Sequence, residues 1–165
     1  MDNYMKLEIA ALGENEGFAR SAVAAFALSL NPTLSELSDI KTAVSEAVTN
    51  CIVHAYRRGG KGDKILIECT SVKDRGGNGF FKECNGRLHI RITDYGCGID
   101  DVERAMLPFY TTLSGEERSG MGFTIMQTFM DNFSVESEKD RGTVISMTKT
   151  IGALENQMVK ERANA

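Results

Sequence analysis

Glu46 and Asn50 stand four residues apart in a helical pattern, Asp94-Tyr95-Gly96-Cys97-Gly98 ends an alternating apolar run, and Gly120-Met121-Gly122 opens a second helical pattern. Each stretch carries its own chemistry. A carboxylate such as Glu46 can accept a proton from an attacking hydroxyl or orient a water, and the amide oxygen of Asn50 can ligate a hard divalent cation. Four residues apart, the two side chains share a helix face, separated by about 40° around the axis. Asp94, at a strand end, is a hydrogen-bond acceptor, and Gly96 and Gly98 let the backbone approach a flat ligand closely. Gly120 and Gly122 leave the unpaired N–H groups and positive dipole end of a helix start open to an anion.

These chemistries fit one kind of ligand. The exocyclic amine of adenine would donate to Asp94. The phosphates of the same molecule would meet the glycines at 120 and 122, and Mg²⁺ would join Asn50 to them, since magnesium seldom takes an all-protein cage. Arg118, just upstream, presents a planar fork of donors suited to a terminal phosphate. The Gly-x-x-x-x-Gly-Lys-Ser/Thr phosphate loop and the dinucleotide fingerprint are both absent. Taken singly, each element also has a plainer reading. Glu46, Asn50, His54 and Arg57 form the polar stripe of any surface helix, Asp94 can cap a turn, Gly120 and Gly122 can be close-packing residues, and Arg118 can be a solvated charge.

The elements that must position these residues can be read from periodicity. Residues 7–12 are expected to be a strand, and residues 16–30 a helix on the spacing of Phe18, Ala22, Ala25 and Phe26, closed by Asn31-Pro32. Thr33 and Glu36 make a capping box for the next helix, which is expected to run to about Tyr56 with Leu37, Ile40, Val44 and Val48 facing the core. After a turn at 58–63, Ile65 to Cys69 reads as a strand, residues 73–86 as an extended hairpin, and Leu88, Ile90 and Ile92 as a half-buried strand leading to Asp94. Asp100 is expected to cap a short helix stopped by Pro108, and the polar, aperiodic residues 107–119 read as a lid. A third long helix is expected around Phe123, Met126 and Phe129, then strands at 133–137 and 143–149. The expectation is one domain over residues 1–150 and a polar tail over 151–165.

Composition bounds the function. A chain of 165 residues with 42% apolar content suits one domain with its own core. A net charge of −4 argues against a phosphate-backbone surface. Neither a membrane span nor a secretory leader is visible, so a cytoplasmic protein is expected. The four cysteines, at 51, 69, 84 and 97, form no Cys-x-x-Cys pair and are expected to be reduced and mostly packed.

Glu46 to Asn50, Asp94-x-Gly-x-Gly and Ser119-Gly-Met-Gly-Phe, in this order and spacing, resemble the gyrase, Hsp90, histidine kinase and MutL group of ATP-binding domains. Residues 44–50 and 117–126 narrow the resemblance to the anti-sigma-F family, serine kinases of sporulating bacteria, over roughly residues 5–149. The resemblance implies a Bergerat-type α/β fold: a two-layer sandwich of helices on a mixed, mostly antiparallel sheet, with ATP held between the helices and the lid. It implies Glu46 as catalytic base, Asn50 as Mg²⁺ ligand, Asp94 as the adenine contact and Gly96 and Gly98 as a purine wall. Ser119, Gly120, Met121, Gly122 and Phe123 would be the phosphate cradle, with Arg118 near the γ-phosphate and Thr143 near adenine.

As partners it implies a sigma factor, an anti-anti-sigma protein phosphorylated on serine, and a second copy of the chain in a homodimer, with Arg20 at a partner contact. Two other functions fit the same motifs: an ATP-dependent binding clamp without catalysis, and the ATPase core of a histidine kinase. The second is disfavoured because no separate dimerising helix is expected, and His54 is read as structural or as a minor phosphate neighbour. The chain departs from the family pattern in its longer 73–86 segment and in Leu113, which stands where a lysine often follows the paired threonines 111 and 112.

Overall fold

The computed structural model of the protein describes residues 2–57, 62–74, 84–110 and 120–153. It holds strand β1 (Asn3–Ala10), helix α1 (Glu14–Ala27) with a 3-10 turn at Leu28–Leu30, helix α2 (Leu34–Asn50) continued by a π-helical turn at Cys51–Ala55, strands β2 (Lys64–Lys73) and β3 (Gly86–Asp94), the short helix α3 (Val102–Ala105), helix α4 (Gly122–Phe129), and strands β4 (Asn132–Glu138) and β5 (Gly142–Ile151). The strands form one sheet in the order β1-β2-β3-β5-β4. All four pairings are antiparallel. The expected two-layer sandwich of helices on a sheet is therefore the observed one.

The core lies between the helices and one face of the sheet. Strand alternation puts Leu7, Ile67, Ile92, Ile145 and Val135 in one cross-strand row, with Met5, Cys69, Ile90, Met147 and Phe133 in the next. From the helices, Val23, Ala27, Ile40, Val44, Ala47, Val48 and Met126 pack onto these rows. Because side chains repeat every second residue, the alternation that buries Ile90 and Ile92 also carries Asp94 to the helix side, where it is 3% exposed.

Thr33 caps α2 as its sequence predicts: its hydroxyl accepts from the Glu36 N–H at 3.2 Å, and the Glu36 carboxylate accepts from the Thr33 N–H at 2.7 Å. Other boundaries move. β1 begins at Asn3 rather than residue 7, because its first half, with Tyr4, Lys6 and Glu8 exposed, lies on the sheet edge and carries no apolar signal. α1 starts at Glu14 and gives way to the 3-10 turn after Ala27, with Asn31 left-handed at φ 52° before Pro32. Asp101, not Asp100, caps α3, its carboxylate accepting from the Arg104 N–H at 2.9 Å. α4 has 8 residues, shorter than the long helix expected. The expected hairpin is closed at its base by the Lys73↔Gly86 pair and an Asp74 N–H bond to the Asn85 carbonyl at 3.1 Å. Its residues 75–83, the turn at 58–61, the lid residues 111–119 and the tail beyond 153 lie outside the described residues.

Candidate functional site

Glu46 and Asn50 project from the last turns of α2, both half-buried. The start of α4 is seated directly on them. A Cβ placed at Gly122 would stand 3.1 Å from Oε2 of Glu46 and 3.2 and 3.3 Å from Nδ2 and Oδ1 of Asn50, contacts tighter than ordinary van der Waals packing. Glycine at 122 is therefore what lets the helix start approach this carboxylate and amide. Met121 is the N-cap and offers no side-chain hydrogen bond to the first turn, in contrast to the full capping box of α2. The first N–H groups of α4 thus take no cap from their own N-cap residue and lie at the polar end of α2, the arrangement that receives anions.

Gly120 turns the chain into this position with φ +64°, and its carbonyl accepts from the Phe109 N–H at 3.0 Å, which ties together the described residues on either side of 111–119. A Cβ at 120 would lie 2.5 Å from the Phe109 carbonyl carbon. Phe123 turns its ring toward β4, 5.9 Å from Phe133 in a tilted pair, so its side chain anchors α4 while its backbone belongs to the helix start. Arg118 and Ser119 lie outside the described residues.

Asp94 is the second pole. Its Oδ1 accepts from the Gly96 N–H at 3.0 Å and the Thr143 N–H at 3.2 Å. Burial pushes its carboxyl above the usual range, and these two N–H groups with the Cys51 thiol pull in the opposite direction. Burial, and after it the charge of Asp94, pushes the Cys51 thiol well up. Around Asp94 the backbone is close-packed. A Cβ at Gly96 would sit 2.4 Å from the Ala55 carbonyl oxygen, and one at Gly142 would sit 2.1 Å from the Asp94 carbonyl oxygen. Gly98, at φ +68°, runs against Glu138 in the same way. The Thr143 hydroxyl pairs with Ser137 Oγ at 2.9 Å, and Ser137 Oγ also accepts from the Ile99 N–H at 2.9 Å.

The two poles are joined by the π-turn, which the sequence did not reveal. At Cys51–Ala55 the ladder slips by one residue, with the Tyr56 N–H bonding to the Cys51 carbonyl at 3.1 Å. Such turns often mark functional positions. Here the Ala55 carbonyl accepts from the Cys97 N–H at 3.1 Å, and the Tyr56 hydroxyl accepts from the Tyr95 N–H at 2.7 Å while donating to the Lys64 carbonyl at 2.6 Å. The end of the helix that carries Asn50 is thereby bonded to the loop that follows Asp94. Cys51, Tyr56 and Ser137 are site-forming residues without a signal of their own in the sequence, because their parts depend on a hydrogen-bond slip and on contacts across the sheet.

Arg20 lies apart from these groups, on α1. Its Nη1 is 3.4 Å from Glu16 Oε1 and 3.5 Å from Ser45 Oγ, and Ser45 donates in turn to Glu16. Among the described residues no cluster of three or more His, Cys, Asp or Glu side chains could hold a metal alone. The donor set at Asn50 and Glu46 fits a cation that takes most of its ligands from a bound phosphate and water. Nor is any described helix long and apolar enough to cross a membrane.

Comparison with known proteins bears on the family and the fold. The family described as histidine kinase-like ATPase domain matches residues 9–149. The anti-sigma F factor of Caldanaerobacter subterraneus subsp. tengcongensis is 49% identical over 151 residues, 92% of this chain and 96% of that protein. The anti-sigma F factor of Clostridium acetobutylicum is 47% identical over 156 residues, 94% of this chain and 99% of that protein. Among solved structures, the RsbU and RsbW domains of a Mycobacterium tuberculosis protein share the fold with a TM-score of 0.58 at 13% identity, over 90% of this chain and 32% of that one. An ATP-binding domain of the histidine kinase-like type and near full-length likeness to these relatives together place the chain in the anti-sigma F factor family.

Proposed function

We propose that the chain is an ATP- and Mg²⁺-dependent anti-sigma factor that sequesters a sporulation sigma factor and phosphorylates an anti-anti-sigma protein on serine. The observation that carries this reading is the seating of Gly122 on Glu46 and Asn50, which sets a carboxylate, an amide oxygen and an uncapped helix start around one point. Adenine would lie against Gly96 and Gly98 with its amine donating to Asp94, and Thr143 would border it through the Ser137 pair.

In this site Gly120, Met121, Gly122 and Phe123 contribute backbone N–H groups toward the phosphates. Ser119 and Arg118 would complete the cradle from the lid side. Asn50 would hold Mg²⁺, which when bound offsets phosphate charge. Glu46 accepts the proton of the attacking serine hydroxyl, and α2 fixes its carboxylate one turn from Asn50 so that the hydroxyl is oriented before transfer. Because phosphoryl transfer depends mainly on positioning and charge, a rigid α2–α4 contact is the feature that matters most.

Arg20, held on α1 by Glu16 and Ser45, supports a partner contact outside the nucleotide site. A homodimer is supported by the outer edge of β1, whose described residues pair only with β2. The relatives' near full-length match to anti-sigma F factors supports a cytoplasmic sigma-factor partner.

The test is incubation of the chain with γ-labelled ATP, Mg²⁺ and the anti-anti-sigma protein encoded by the same organism. Transfer of label to a serine of that protein is expected. A stable ATP complex that never labels the partner would make the chain a binding clamp instead.

A further inference from the structure

Lys149 is a cation on the core side of the sheet, 8% exposed. It occupies β5 opposite Leu88, in the register that otherwise buries Ile145, Met147 and Ile151. Its ammonium donates to the Phe129 carbonyl at 2.6 Å and to Asp39 Oδ2 at 3.0 Å. Phe129 is the last residue of α4, where carbonyls lack partners within the helix and a positive charge is favoured. Asp39 belongs to α2. A buried charge pair of this kind is weak evidence for stability, because desolvation offsets much of the attraction, so its geometry calls for another reason.

The reason lies along α2. Asp39, Glu46 and Asn50 are seven and four residues apart, which places all three within about 40° of one stripe. That stripe meets α4 at both ends: Glu46 and Asn50 touch its first residue, and Asp39 reaches its last through Lys149. α4 packs mainly on α2 and little on the sheet. A helix of this length spans about 12 Å, so fixing its far end against α2 fixes where its near end stands. The fit at Gly122 leaves no slack, and misplacement of a binding group by about 1 Å is enough to lose much of its effect.

We propose that Lys149 is a positioning residue for the phosphate site, holding α4 at the axial position that presents its N–H groups beside Glu46 and Asn50. The inference rests on the ATP-binding reading above. It assigns Lys149 to recognition of phosphates and not of adenine, whose contacts at Asp94 lie at the other pole. A purely structural role would alter stability without changing which part of the nucleotide is recognised.

The test is displacement of a fluorescent ATP analogue by ATP and by AMP from the wild type, Lys149→Met, Lys149→Arg and Asp39→Ala. The expected result is that Lys149→Met lowers the ratio of ATP to AMP affinity by about tenfold, with AMP affinity within about twofold of wild type and the ratio largely restored in Lys149→Arg. Asp39→Ala keeps the bond to Phe129 but removes the acceptor on α2, and should lower the ratio as well, so the outcome does not depend on Lys149→Met folding. An unchanged ratio in Asp39→Ala, or in folded Lys149→Met, overturns the role of Lys149. Failure of the wild type to bind the analogue or ATP overturns the reading on which it rests.

Discussion

Gly122 and Glu46 are in near contact across two helices: a Cβ at 122 would stand 3.1 Å from the Glu46 carboxylate. This contact joins the start of α4 to the only acidic side chain in the last two turns of α2. It gives the site its order, with a carboxylate and an amide on one helix and N–H donors on the next.

Gly122→Ala should therefore damage binding more than folding. Isothermal titration is expected to show ATP affinity reduced by about tenfold or more, because the added methyl must push α4 away from Glu46 and Asn50. Thermal unfolding should register the modest destabilisation of overpacking, about 1–3 kcal/mol. Affinity equal to wild type would mean that α4 does not meet the phosphates at this contact.

Burying Asp94 costs stability at neutral pH. Burial raises its carboxyl above the ordinary value of 3.8, so the folded protein without ligand holds this proton more tightly than the unfolded chain. The stability linked to that proton is fully present below the unfolded value and is lost as pH rises through the raised one. Asp94→Asn avoids this loss while its amide oxygen can still accept from Gly96 and Thr143. Thermal melts should show the variant gaining on the wild type as pH rises from about 4, then holding that gain at neutral pH. The same variant should lose most ATP affinity, since an amide NH₂ directed at the adenine amine cannot accept from it. A loss of stability that grows with pH would reverse the assignment.

The thiols separate by environment. Burial pushes Cys69 to about 12 and Cys51 well above its usual range, whereas Cys97 is exposed between Gly96 and Gly98. Under native conditions near pH 8, iodoacetamide followed by peptide mapping should modify Cys97 ahead of Cys51 and Cys69, and saturating ATP should slow the reaction at Cys97. Equal labelling with and without nucleotide would move the adenine away from this loop.

Much of this site was legible because its residues sit where chain periodicity changes. The capping box at Thr33 and Glu36 marked the start of α2, and the stripe of Ile40, Val44 and Val48 fixed its inner face, which left Glu46 and Asn50 on the polar side. Alternation through Leu88, Ile90 and Ile92 likewise announced a strand delivering Asp94. What escaped was non-local. The π-turn at Cys51–Ala55 keeps a helical appearance in sequence while shifting its hydrogen bonds, and the bond from Tyr95 to the Tyr56 hydroxyl spans 39 residues. Lys149 reads as one more polar residue in an alternating strand, yet it sits on the buried face because its partners come from α2 and α4. The early start of β1 was hidden for the opposite reason, since an edge strand has little apolar surface to display.

Glu46→Gln tests the central claim most directly, with ATP affinity and label transfer to the anti-anti-sigma protein measured on the same preparation. Glutamine keeps the size of the side chain beside Gly122 but cannot accept the serine proton. The expected result is ATP affinity within about threefold of wild type and transfer reduced by about 10²-fold or more, the usual scale for removing a general base. Transfer at the wild-type rate with binding intact would contradict the account and remove Glu46 from the chemistry.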